Sequence, residues 1–312
     1  MRNIIYITYN LMSKKKIPGS EGRILNDDSN ISDIVKNIFY EKTECHFSKG
    51  NQPVCSPSHV VEKMKKFLKK NNTNTGNSNE QIVSNMKNYL NCDSESCIFK
   101  NREFLDFAKI NNLDEFLQQI FKPVGPTKQY GLLSNFNIDD VLDQLEKTFP
   151  ERKFLHIGYQ MIDFQDPHIN TQLATVDLKD QFLNKGIKTF GVVLNTDKTA
   201  GHGKHWFCLF GEYYGDKIDI EYFNSSGNCP PPEVQIWLNK KKHELTKEMN
   251  IPVNIIYHQG AAYQIDTHSC GVYCLCYIWG RLSGIPARWF SNRDHFTDNM
   301  MHEARDNLFR YA

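Results

Sequence analysis

Two spacings of apolar residues alternate along this chain, and they divide it. Val60, Val61, Met64, Phe67 and Leu68 share one helical face, and Ser58 stands where a cap belongs. After a polar, Asn-rich run at residues 71–79, Ile82, Val83, Met86, Tyr89 and Leu90 resume the same period. Residues 104–110 and 113–121 continue it. The spacing therefore predicts a small helical unit over 58–121, with 71–79 as a flexible linker inside it. Pro123-Val124-Gly125-Pro126 closes the unit, because the residue before a proline is pushed out of helical conformation. Residues 1–56 carry turn formers (Asn30, Gly50, Pro53) and no strong period. The division is thus 1–126, an N-terminal mainly helical arm, and 127–312, a core domain.

Beyond residue 126 the pattern mixes periods. Asn137 is placed to cap a helix using Ile138, Val141, Leu142 and Leu145. Residues 154–159 and 189–194 read as strands, the second apolar throughout and so buried on both faces. Residues 206–210 and 217–223 flank Tyr214-Gly215-Asp216 and predict a hairpin. Pro230-Pro231-Pro232 leads into a helix bearing Val234, Trp237 or Leu238, Leu245 and Met249, since proline suits the first turn. A strand over 253–257 and an apolar helix over 270–282 complete an α+β core.

Composition narrows the class. The chain has 312 residues, 40% of them apolar, and a net charge of +1, which excludes a general polyanion binder. The first eighty residues hold 13 Lys and Arg against 8 Asp and Glu. That local surplus fits a solvated basic face, or a contact with nucleic acid or a particle. No stretch has the roughly 18 to 20 apolar residues that span a bilayer. The apolar run at residues 1–7 is too short for a signal peptide, so a reducing compartment is expected, with nine cysteines as thiols rather than a disulfide framework.

One of those thiols stands apart. Gln264-Ile265-Asp266-Thr267-His268-Ser269-Cys270-Gly271 places Cys270 at the start of the apolar helix. A helix start offers unpaired N–H groups and partial positive charge, which favour thiolate. Gln264, six residues earlier, is placed to present an amide donor to a developing oxyanion, together with the Cys270 backbone N–H. His205 opens one hairpin strand and Asn224 follows the other, so the hairpin brings them side by side. Nucleophile, base and orienting group make the general triad pattern. Trp206, next to the base, suits the roof of a narrow substrate channel, and Asn195 and Thr196 are candidates to line it. His202 and His268 flank these motifs and read as surface loop residues. Zinc on Cys270, Cys274, Cys276 and His268 lacks the usual paired spacing, as does Cys92 with Cys97, so no metal is expected. Cys97 with His205 and Asn224 would match the Cys, His, Asn order of papain-like enzymes, but it has Asn91, not glutamine, six positions upstream.

The order His205-Trp206, Asn224, then Gln264-x5-Cys270-Gly271 resembles the cysteine peptidase superfamily of SUMO proteases and the adenovirus maturation protease. Within it, Cys92–Cys97, Gly131 to Asp139, Gly203 to Trp206 and Ile220 to Ser225 look like the African swine fever virus type of polyprotein protease, as does Asn307-Leu308-Phe309-Arg310. The resemblance covers residue 85 to the end. It implies a permuted papain-like core, no cofactor, and cleavage of viral structural polyproteins at Gly-Gly-x sites during particle maturation. It also implies location in the host cytoplasm and the virion. By motif, His205 matches the base, Asn224 the third member, Gln264 the oxyanion donor and Cys270 the nucleophile. Most cellular members have Asp where this chain has Asn224. Two alternatives share the motif: a protease acting on host ubiquitin-like tails, and a non-catalytic module that grips glycine-rich tails.

Overall fold

The computed structural model describes residues 28–311 apart from Gln129 and Ala261. The apolar run at 1–7 and part of the basic N-terminal surplus lie outside these residues. The described chain starts with helix α1 (Asp28–Phe39), then α2 (Ser58–Lys70), α3 (Asn79–Leu90), α4 (Glu95–Ile98), α5 (Arg102–Ala108) and α6 (Leu113–Ile120). Next come α7 (Asn135–Thr148), β1 (Phe154–Met161), α8 (Gln172–Thr175), α9 (Leu178–Leu183), β2 (Thr189–Asn195), β3 (Trp206–Tyr213) and β4 (Ile218–Phe223). The chain ends with α10 (Pro232–Met249), β5 (Val253–His258), α11 (Cys270–Leu282), α12 (Ala287–Phe290) and α13 (Asp298–Leu308).

The five strands form one sheet in sequence order, parallel at its two outer pairs and antiparallel at the two inner ones. Alternation decides which face each residue serves. Val193, Cys208, Phe210 and Phe223 point to a core with α7, α11 and α13. Val192, Leu194, Phe207, Leu209 and Tyr222 point to a second core with α8, α9 and α10. Helix α11 runs through the first core with all thirteen residues buried, which explains why its sequence is apolar but for Arg281.

The helical unit has its own core, built from α2 to α6. Its caps follow the sequence: Ser78 and Gln81 form a reciprocal capping box at α3, although α2 starts at Ser58 itself, with Pro57 as its cap residue. The 71–79 run is a hydrogen-bonded loop between α2 and α3, which pack on each other. It joins neighbours in one cluster instead of tethering separate parts.

Two expectations change. First, the division at residue 126 is not clean. Helix α1 packs on α11 and α13, and Ile38, Phe39 and Phe47 belong to the α11 core. Asn307 Nδ2 donates to the carbonyls of Asn37 and Ile38, and the buried Lys122 Nζ donates to Asn307 Oδ1. The N-terminal segment is therefore sewn into the C-terminal end of the chain. Second, four of the nine cysteines are paired, as Cys45–Cys55 and Cys92–Cys97. Local folding brings their Cα atoms to 4.9 and 5.6 Å, within the reach of a disulfide. Cys208, Cys229, Cys270, Cys274 and Cys276 remain thiols.

Candidate active site

The site forms where β3 begins, β4 ends and α11 begins. His205 immediately precedes β3 and Asn224 immediately follows β4, and the antiparallel pairing of these strands puts them together. His205 Nε2 lies 2.7 Å from Asn224 Oδ1. The Ser226 backbone N–H also donates to that oxygen at 3.0 Å, and Asn224 Nδ2 donates to the Tyr222 hydroxyl at 3.0 Å. These contacts fix which way the amide faces. An amide oxygen facing Nε2 requires the ring proton there, leaving Nδ1 as the unprotonated nitrogen.

Cys270 is the first residue of α11 and is 4% exposed. Its sulfur meets the backbone N–H of Trp206, the residue after His205, and the N–H groups of Gly271 and Cys270 itself. Burial pushes the thiol up to about 11, and these three N–H groups pull it back only in part. The helix start thus acts in the expected direction, but desolvation outweighs it. Burial favours the protonated sulfur in the free protein.

Gln264 is close by but committed elsewhere. Its Oε1 accepts from Ser225 Oγ at 2.7 Å, and its Nε2 donates to the Asp266 carbonyl and carboxylate at 2.9 and 3.0 Å. Asp266 organises the turn before Cys270, accepting from the backbone N–H groups of His268 and Ser269 and from Ser269 Oγ. Burial alone would raise that carboxyl. The hydrogen bonds from Ser269, His268 and His302 outweigh burial and hold it well below the usual carboxylate range.

This arrangement has close counterparts. The chain is 32% identical to the SUMO-1 cysteine protease of African swine fever virus, isolate Tick/South Africa/Pretoriuskop Pr4/1996, over 292 residues that cover 89% of this chain and 99% of that protein. It is equally similar to the cysteine protease of the Badajoz 1971 Vero-adapted strain. The chain belongs to this family of African swine fever virus cysteine proteases. A crystal structure of the African swine fever virus protease superposes with a TM-score of 0.71 at 31% identity, covering 86% of this chain and 96% of that one. No protein-family model matches the chain.

Membership makes this a cysteine protease with the permuted papain-like fold. A match over 89% of the chain also reaches well into the first 85 residues, beyond the part that the motifs cover. The papain-order alternative falls, because Cys97 is disulfide-bonded to Cys92 and lies in the helical unit.

The substrate-lining candidates divide. Trp206 lies beside Cys270, its indole N–H donating to the Leu133 carbonyl at 3.2 Å and its ring edge-on to Tyr159. Asn195 is 2% exposed, and its side chain is engaged with backbone. Its Oδ1 accepts from the backbone N–H groups of Asp197 and Lys204 at 2.9 Å each. The Thr196 N–H donates to the His205 carbonyl at 2.9 Å. As the last residue of β2, opposite Trp206 in register, Asn195 is placed to clamp the loop that delivers His205. Gly203, at φ +86°, supplies the left-handed turn that lets this loop close. Sequence reasoning also missed Ser225, Asp266 and the Trp206 N–H. Asp266 had a signal, since an acid three residues before a buried Ser269 suits a local cap. The backbone donor had none.

Proposed function

We propose that the protein is a viral cysteine endopeptidase that cleaves structural polyproteins after Gly-Gly during virion maturation, in the host cytoplasm and the particle. The observation that carries this reading is that the His205 ring meets its orienting amide at Asn224 while the Cys270 sulfur meets the backbone N–H of the very next residue, Trp206. His205 Nδ1 takes the Cys270 proton as sulfur attacks the glycine carbonyl. A carbon–sulfur bond forms and the carbonyl electron pair moves to oxygen. The Cys270 N–H stabilises that oxygen, an effect of about 3 kcal/mol per donor. Gln264 joins it by releasing Asp266 as substrate binds. The imidazolium, held by Asn224, then protonates the leaving amine as the carbon–nitrogen bond breaks. Water, deprotonated by His205, releases the acyl group. Trp206, fixed at the mouth of the site, favours residues without side chains, which supports Gly-Gly selectivity.

A second reading has a specific support, because a relative carries the name SUMO-1 cysteine protease. On that reading the substrate is the glycine tail of a ubiquitin-like protein. Incubating wild type and Cys270→Ala with a Gly-Gly-x peptide panel and with a ubiquitin-like precursor separates them. Cleavage of the peptides but not the precursor supports polyprotein processing. The reverse supports tail processing. Absence of both, with no labelling of Cys270 by a glycine vinyl-ester probe, supports a tail-binding module and overturns the enzymatic route. The lysines of α2, with Lys66, Lys69 and Lys70 exposed, support a particle or nucleic-acid contact, which predicts salt-sensitive binding lost on removal of residues 1–80.

A further inference from the structure

The turn that leads into Cys270 carries a second cluster, whose two histidines the mechanism does not use. Asp266, His268 and His302 each offer a ligand atom, and these atoms lie within 4.8 Å of one another. His302 comes from α13, 36 residues away from Asp266, so no sequence spacing betrays the group. The two imidazole rings are parallel, at 7° with centroids 5.5 Å apart, and both turn Nε2 toward the same carboxylate oxygen. Asp266 Oδ2 stands 3.0 Å from His302 Nε2 and 3.3 Å from His268 Nε2.

These distances carry information. Ligands of a tetrahedral zinc ion lie about 3.4 Å apart, given metal–ligand bonds of about 2.0–2.1 Å. His268 Nε2 is buried and makes no hydrogen bond, since its approach to Asp266 lacks the geometry for one. The carboxylate divides its duties. Oδ1 accepts from Gln264, His268 N and Ser269 N and so holds the turn, whereas Oδ2 faces the rings, with Ser269 Oγ as its other donor. The Tyr130 ring closes one side, edge-on to both imidazoles.

We propose that Asp266, His268 and His302 bind a divalent transition-metal ion, with zinc the best match to two imidazoles and one carboxylate. Binding needs an unprotonated Nε2 on each ring, so a proton on that atom moves to Nδ1 or to solvent. The ion ties the segment bearing Gln264 and leading to Cys270 onto α13, leaving a fourth position for water. The site that sequence spacing denied to the cysteines is thereby given to residues far apart in the chain.

The test reads binding, not activity, and uses the full chain with Cys270→Ala so that the active-site thiol supplies no ligand. Calorimetric titration with zinc, and with cobalt followed by its visible absorption, should show one ion per chain. A further His302→Ala change should weaken binding roughly tenfold or more, and His302→Gln should behave the same way. His243→Ala, an exposed histidine on α10, should leave it unchanged. Zinc should also raise the midpoint of thermal unfolding, and the rise should vanish with His302→Ala. Absence of zinc binding at submillimolar concentrations, or binding indifferent to both His302 changes, overturns the proposal.

Discussion

Helix α11 has a polar residue at each end, and the two ends are treated in opposite ways. At its C-terminal end Arg281 is 5% exposed, and its side-chain nitrogens are all engaged. Nε and Nη2 donate to Glu221 at 2.9 and 2.8 Å, Nη2 also to Glu212 at 3.1 Å, and Nη1 to the Ile285 carbonyl at 2.6 Å. Tyr277 adds its hydroxyl to Glu221 and lies 2.9 Å from His258 Nε2. Burial pushes His258 down to about 4, helped by Arg281, so that ring stays neutral within the network. At the N-terminal end Cys270 is as deeply buried, but backbone N–H groups meet its sulfur and the Arg305 charge acts on it electrostatically, so nothing there matches the bidentate pairing at the other end. A satisfied buried charge fixes structure. A buried nucleophile that desolvation holds in its neutral form needs a base to release it.

The sharpest test of this contrast separates activity from stability. Cys270→Ala should lower peptide hydrolysis by roughly 10⁴-fold or more while leaving the unfolding midpoint in urea nearly unchanged. Arg281→Ala should do the reverse. Removing the arginine leaves the buried Glu221 carboxylate without its cation, while Glu212 keeps Arg152, and should cost about 3–5 kcal/mol in equilibrium unfolding. If Arg281→Ala left stability intact, the structural half of the comparison would fail.

Asn224→Ala should fall between them, with kcat down about 10³-fold, because the His205 ring loses the acceptor that sets its tautomer. Asn224→Asp offers a charged acceptor in its place and should keep most of the activity. Equal losses in both variants would show that the ring is positioned by something else.

The Cys270 thiol gives a pH signature. Its folded value, about 11, is above its ordinary 9.0, so folding favours the protonated form. That stability is present below pH 9 and is lost as pH rises from 9 through 11. Two units correspond to roughly 2.7 kcal/mol. Wild type should therefore lose about 2–3 kcal/mol of unfolding free energy relative to Cys270→Ala between pH 8 and pH 11. In parallel, alkylation of Cys270 in the free enzyme should accelerate through pH 9. A rate already at its plateau at pH 6 would mean a preformed thiolate–imidazolium pair.

The contrast between the ends also explains what could be read from the sequence. The pair His205 and Asn224 was legible because a hairpin is local, so strand register alone delivers one beside the other. Cys270 was legible because a polar, turn-forming octet runs into an apolar helix. The burial that raises its thiol was not, because that depends on α7 and Leu133 packing across Gly271. Gln264 was found at the right distance along the chain, yet its orientation depends on Ser225 and Asp266, and no spacing rule includes them. The helices of the 58–121 unit followed their period. Helix α1 was missed although Ile31, Ile34, Val35 and Ile38 carry the same period, since polar, turn-prone neighbours obscured it. A lone arginine in an apolar helix and single glutamates in apolar strands were also signals. Charges at such positions stay only when they find each other.

The smallest effect is expected at Asn195, and it is the most discriminating. This side chain is buried like Arg281 and hydrogen-bonded like Arg281, yet it stands at the catalytic end. If it acts as a lining residue, Asn195→Ala should raise KM and leave kcat alone. If it clamps the His205 loop, the two backbone N–H groups it holds are released, the base wanders from Asn224, and kcat should fall about tenfold at nearly constant KM. Asn195→Asp retains an oxygen acceptor for both N–H groups and should recover most of that loss. A KM effect without a kcat effect would return Asn195 to the substrate cleft and would blur the line between the two ends of α11.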